Sequence, residues 1–155
     1  MKKALLCILC FLFILSGTFA QFSIDKIDAG GNLGANMNSR EGWAFTFGVH
    51  GDYEVVENIK TGLNFGFSFS KDIFVFEPSA YGKFYLPKLG FLGFTPFAQL
   101  DLGASVIKAN ENFGSFLVGL TAGLRYDLGK LYVEPKISWG YPFMVAINAG
   151  IGYAF

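Results

Sequence analysis

Along most of the stretch from Asp28 to Phe155 apolar side chains recur at every second position, and this period of two governs what the chain can fold into. A β-strand sends successive side chains to opposite faces, so strict alternation separates two surfaces. The last stretch shows it most plainly. Odd positions read Phe143, Val145, Ile147, Ala149, Ile151, Tyr153 and Phe155; even positions read Met144, Ala146, Asn148, Gly150, Gly152 and Ala154. The same division predicts eight strands, at 28–37, 43–55, 62–70, 74–86, 94–106, 116–128, 131–141 and 143–155. Their apolar faces comprise fifty positions without a single Asp, Glu, Lys, Arg, His, Asn, Gln, Ser or Thr.

Two closed architectures accept such strands. A soluble barrel turns its apolar face inward and meets water with the polar one. A membrane barrel reverses the faces. The interior of an eight-stranded barrel is narrow, and side chains of mixed size just fill it. The Phe-rich face is too bulky for that space, whereas the Gly, Ser and Asn face suits it. An apolar wall of fifty positions in water would exceed by far the few hundred Å² that soluble surfaces tolerate. Composition agrees: only 15% of residues are charged, against roughly 25% in an average soluble domain. The predicted fold class is therefore all-β, an eight-stranded antiparallel up-and-down transmembrane β-barrel. With basic and acidic residues equal at twelve each and no basic block, nucleic acid is not an expected partner.

The first twenty residues stand apart from this pattern. Lys2 and Lys3 precede an unbroken apolar run over 4–15, and small residues lead to Ala20. A spanning helix needs about 20 apolar residues, so this run is too short and reads as a secretory signal cleaved after Ala20. Removing it takes away both cysteines, Cys7 and Cys10, and leaves ten basic against twelve acidic residues on a barrel of 21–155. No disulfide framework is then available.

With the termini at the inner side of the membrane, aromatic residues sort by height. Trp43, Trp139 and Tyr141, with Phe69, Phe76, Phe116 and Phe143, gather at the outer ends. Tyr53, Tyr126 and Tyr153, with Phe84, Phe94 and Phe155, gather at the inner ends. Such rings are the girdles expected where headgroups meet a barrel. Outer loops are expected at residues 38–42, bounded by Asn38 and Gly42, and 107–115, bounded by Ile107 and Ser115; these are the candidate contacts for surface ligands. Pro78 and Pro135 fall inside predicted strands, each after a glutamate, and are expected at bulges because proline cannot donate to a ladder.

On the polar face, His50, Glu54, Glu77, Lys83, Asp101, Arg125, Glu134 and Lys136 are expected to form an ion-pair and hydrogen-bond network that fills the lumen. Buried charges persist only when paired, so Lys83, Arg125 and Lys136 are set against Glu54, Asp101 and Glu134. No catalytic, cofactor or metal site is expected, since one histidine and scattered acids make no ligand set.

The final residues Asn148, Gly150, Tyr153 and Phe155 follow the pattern polar, glycine, aromatic, aromatic to the end of the chain. This resembles the terminal signal of bacterial outer-membrane barrels. With the leader and eight strands, the chain is similar to the OmpA/OmpX-type small β-barrel family. The resemblance implies an integral protein of the bacterial outer membrane, with outer-membrane lipids and the barrel-assembly machinery as partners. It also implies a structural, envelope or surface-interaction role, with a narrow channel or minor porin for small solutes as the alternative. Some eight-stranded barrels modify lipid A through a Ser/His pair on the outer wall. Here His50 has lumen parity and the apolar face carries no Ser, so that arrangement is not expected.

Overall fold

The computed structural model describes residues 23–38, 42–71, 73–108, 112–143 and 145–155. The segment 1–20 lies outside these, as do residues 39–41 and 109–111 of the two candidate outer loops. The described strands are β1 Ile27–Asn38, β2 Gly42–Val56, β3 Ile59–Ser70, β4 Ile73–Tyr85, β5 Phe94–Lys108, β6 Asn112–Leu128, β7 Leu131–Tyr141 and β8 Val145–Ala154. Each pairs antiparallel with the next, and β8 returns to β1 to close an eight-stranded barrel. The seam runs without interruption from Asp28 opposite Ala154 to Met37 opposite Val145. Strands of 10 to 17 residues reach or exceed the 9–11 that a tilted strand needs to cross a bilayer.

Burial is the reverse of that in a soluble domain. The buried side chains include Asp28, Asp52, Lys83, Arg125 and Glu134, while Leu33, Phe45, Leu63, Leu100, Leu120, Ile147 and Ile151 stand exposed on the outside. The core lies in the lumen, and the wall is apolar. On β2 to β4 that wall is a sheet of phenyl rings: Phe47 stacks on Phe67 at 4.9 Å, Phe67 on Phe76 at 5.2 Å, and Phe69 tilts against Phe74 at 5.1 Å.

Turns at the terminal end are mostly tight. Glu57 and Asn58 alone join β2 to β3, with Asn58 at φ 65°, and Gly129 and Lys130 join β6 to β7, with Gly129 at φ 74°. The link from β4 to β5 is longer, residues 86–93, and contains a 3₁₀ turn at Pro87–Leu89.

Three expectations change. The prolines are not at bulges: Pro78 still pairs with Phe65 and Pro135 with Ala149, and register is constant on both flanks. Pairing lapses only on the far side, towards β5 for Pro78 and towards β6 for Pro135, where each lacks its N–H. Among the described residues, the register shift falls between Glu54 and Val56. Phe143 does not continue the outward face, because β8 begins at Val145; its ring instead reaches Gly119 and the lumen. Finally, β3 begins at Ile59 rather than at 62, which brings Lys60 onto the lumen face.

Candidate functional site

In the half of the lumen nearest the chain termini, charged side chains converge. Lys83 comes from the end of β4 and Glu134 from the start of β7; the lysine Nζ donates to Glu134 Oε2 at 2.9 Å and Oε1 at 3.2 Å. Lys83 also lies 3.7 Å from Asp52 on β2. Arg125 on β6 donates to Asp28 Oδ2 at 2.5 Å and to Asp127 Oδ1 at 2.7 Å, and lies 3.7 Å from Glu134. Lys60 on β3 reaches the same Asp28 oxygen at 2.5 Å. Asp28, Asp52 and Glu134 thus face Lys60, Lys83 and Arg125, drawn from six of the eight strands, while Asp127 sits at the exposed rim. An isolated ion here would face a desolvation penalty of several kcal/mol; shared partners offset it.

Tyrosines complete the shell. Tyr81 donates to Asp52 at 2.7 Å, Tyr85 donates to Glu134 at 3.1 Å, and Arg125 donates to the Tyr85 hydroxyl at 3.2 Å. The Arg125 guanidinium lies 3.8 Å from the Tyr132 ring centroid, and Lys83 Nζ lies 4.9 Å from that of Phe97. Attraction between cation and ring face strengthens when water is excluded.

The lumen accommodates four of its rings because glycine stands directly across from each. Tyr81 pairs with Gly62, Phe97 with Gly123, Tyr132 with Gly152 and His50 with Gly30. A Cβ at Gly62, Gly123, Gly152 or Gly30 would lie within 3 Å of the opposing ring. His50 and Tyr132, each lying over its glycine, meet at 3.0 Å through Nε2 and the hydroxyl.

The other half of the lumen is a polar chamber of about 90 Å³, lined by Asn32, Asn64, Glu77, Asp101, Lys136 and Asn148 among others. Its walls are tied by neutral contacts: Thr46 donates to Asn148 at 2.9 Å, Asn36 to Ser68 at 2.9 Å, and the Thr121 and Ser138 hydroxyls meet at 2.7 Å.

The eight lumen residues named from sequence therefore divide. Lys83, Arg125 and Glu134 are brought together. Glu77 instead accepts from Ser105 at 3.2 Å, and Asp101 accepts from Gln99 and Thr121. Lys136 lines the chamber with no carboxylate within 4 Å among the described residues, and His50 pairs with Tyr132 rather than an acid. Glu54 lies beside the register shift and joins no ion pair among the described residues. The expected opposition changes in its partners: Lys83 and Arg125 meet Asp28, Asp52 and Glu134 rather than Glu54 and Asp101, while Lys136 and Asp101 share the chamber without an ion pair within 4 Å. Sequence reasoning missed Lys60, Tyr81, Tyr85, Phe97 and Tyr132. All five have lumen parity, so extending β3 by three residues and reading apolar as well as polar residues on that face would have found them.

No protein-family model matches the chain, and no characterised protein matches it in sequence. Its structure, however, matches solved barrels along nearly their whole length. The neisserial surface protein A, NspA, superposes with a TM-score of 0.62 at 13% identity, over 83% of this chain and 96% of its own. The N-terminal β-barrel domain of Pseudomonas aeruginosa OprF gives 0.65 at 12% identity, over 84% and 98%. Ail of Yersinia pestis gives 0.53 at 13% identity, over 83% and 96%, and has also been solved with the heparin analogue sucrose octasulfate. The fold is that of the small outer-membrane β-barrels.

In this barrel the named aromatic residues lie at two levels. Trp43, Trp139 and Tyr141 are exposed near the end that carries the β1–β2 and β7–β8 links, and Phe116 packs on Tyr141 at 5.0 Å. Tyr53, Tyr126 and Tyr153 lie towards the termini: Tyr126 packs on Phe94 at 5.0 Å, Tyr153 on Phe155 at 5.2 Å, and Lys130 lies 5.5 Å from the Tyr153 ring. Of the terminal pattern, Asn148 and Gly150 face the lumen while Tyr153 and Phe155 are exposed outward. Among the described residues no group of three His, Cys, Asp or Glu side chains is placed to hold a metal ion.

Proposed function

We propose that this chain serves the bacterial outer membrane as a structural or surface-contact element, with its lumen shut rather than conducting. The observation that carries the reading is the cluster of Asp28, Asp52, Lys60, Lys83, Arg125 and Glu134, which reaches across the lumen from six strands. Eight strands leave an interior that side chains can fill, whereas aqueous porins use about 16–18. The chamber beyond the cluster favours the alternative of a narrow channel, since it supplies half of a polar path.

Purified barrel in planar bilayers distinguishes the two. No steady current is expected from protein whose folded state is verified by a heat-modifiable gel shift; a reproducible steady conductance would favour the channel. Surface contact is assigned to the loops at 38–42 and 107–115, supported by the fold shared with Ail, a protein solved with a polyanionic ligand. Outer-membrane lipids are the partners of the apolar wall, because a Lys or Arg there would cost about 2–4 kcal/mol at mid-membrane while Phe and Leu cost nothing.

A further inference from the structure

The link from β4 to β5 differs in chemistry from its two-residue neighbours. It reads Leu86-Pro-Lys-Leu-Gly-Phe-Leu-Gly93, and it holds Leu89, Phe91 and Leu92 out at 64%, 53% and 88% exposure. Such display is not slack chain. Leu89 N donates to Leu86 O at 3.0 Å and Gly90 N to Pro87 O at 3.1 Å. Phe91 and Phe94 exchange both backbone bonds, at 3.1 and 2.9 Å, and Leu86 N donates to Pro96 O at 2.8 Å. Leu92 is held at φ 51°, a conformation that side-chain-bearing residues rarely adopt, and Gly93 follows at φ 83°.

The direction of the fold-back is given by Tyr126. Tyr126 and Phe94 are cross-strand partners on the outward face of β6 and β5. A Cβ at Gly93 would lie 2.8 Å from the Tyr126 ring, so the link passes against the outer wall. The Phe91 ring then sits 6.1 Å from Phe94, and Phe94 sits 5.0 Å from Tyr126. The exposed rings of the link thus continue the lipid-facing surface.

We infer that this link is a membrane anchor: Phe91 and Leu92, with Leu89 beside them, insert into the phospholipid leaflet that meets the terminal end of the barrel. The backbone suits the interface: a donor in hydrocarbon must be bonded internally, as those of Leu86, Leu89, Gly90, Phe91 and Phe94 are. Those of Lys88, Leu92 and Gly93 have no backbone acceptor among the described residues and hold that part of the link at headgroup level, where water and phosphate accept them. Lys88, exposed on the same link, is complementary to lipid phosphates. A soluble partner would have no need of the continuity with Phe94 and Tyr126. The anchor rests on the reading of the wall as lipid-facing.

The test uses the full barrel with Trp43 and Trp139 replaced by Phe, carrying one new tryptophan, Leu92→Trp, or Leu100→Trp on the outward face of β5. Each is folded into phosphatidylcholine–phosphatidylglycerol vesicles with brominated acyl chains, and folding is verified by the heat-modifiable gel shift. Leu92→Trp is expected to emit at short wavelength and to lose at least half as much intensity to bromine as Leu100→Trp. Long-wavelength, unquenched emission from Leu92→Trp beside a quenched Leu100→Trp would overturn the anchor and leave the patch to a soluble partner. Unquenched emission from both would overturn the lipid-facing wall, and the anchor with it. Should Leu92→Trp fail to fold, Leu89→Trp reads the same surface.

Discussion

Lys83 meets two carboxylates, Glu134 at 2.9 Å and Asp52 at 3.7 Å, under a roof of aromatic rings. Removing its charge leaves both acids buried without it, so Lys83→Ala is expected to lower unfolding stability in lipid vesicles by about 3–5 kcal/mol. Lys83→Met combined with Glu134→Gln removes both charges and is expected to recover part of that loss. Equal losses from the single and double variants, measured by urea titration, would count against the pairing. Glycine supplies a second test at this scale. Gly152→Ala drives a methyl group against the Tyr132 ring, 2.2 Å from its nearest atoms, and is expected to cost about 1–3 kcal/mol. Gly66→Ala meets nothing nearer than 3.6 Å and is expected to be neutral or slightly stabilising. Similar effects at the two sites would refute the ring-over-glycine account. Parity makes Gly152 and Tyr132 lumen residues, but only the β7–β8 register sets one across from the other. That distinction was not legible in the sequence.

Strands were legible because a wall read as lipid-facing enforces the period: every outward slot must be apolar, so Phe94, Leu100 and Leu102 announce β5 as clearly as Gln99 and Asp101 do. Their ends were less so. Lys60 fell outside the predicted strand at 62–70, yet a two-residue turn suffices and Lys60, second in β3, sets its ammonium on Asp28. Pro78 and Pro135 looked like bulges because a closed barrel has no free edge; the wall tolerates each through a gap in one ladder at constant register. Phe143 followed the odd-number rule and still turned inward, since the β7–β8 link interrupts the strand before Val145. The last strand also tests the reading of its pattern as an assembly signal. Phe155, bonded through its N–H to Ile27 O at 3.0 Å, presents its ring outward beside Tyr153. Phe155→Ser is expected to reduce the heat-modifiable fraction recovered from outer membranes several-fold while leaving the stability of barrel refolded from urea within about 1 kcal/mol of wild type. Unchanged recovery would leave that residue with a packing role alone.

At the level of the molecule, charge is partitioned along the axis as well as between wall and lumen. The alternation revealed the second division but not the first, because a strand's parity says which way a side chain points and not which neighbours share its height. Glu77 and Asp101 therefore belong to a hydroxyl- and amide-lined chamber, while Asp28 and Asp52 belong to the charged cluster. The seam between β1 and β8 has a consequence for how such an object can come apart. Asp28 and Ala154 lie at opposite extremes of the described chain, yet they stand side by side. Open that joint in hydrocarbon and two rows of amides lose their only partners at once, each at a cost of several kcal/mol. A frayed strand on a soluble sheet can be rescued by water; here there is none to do it. The eighth strand is a keystone, and losing or gaining the ring is a single event.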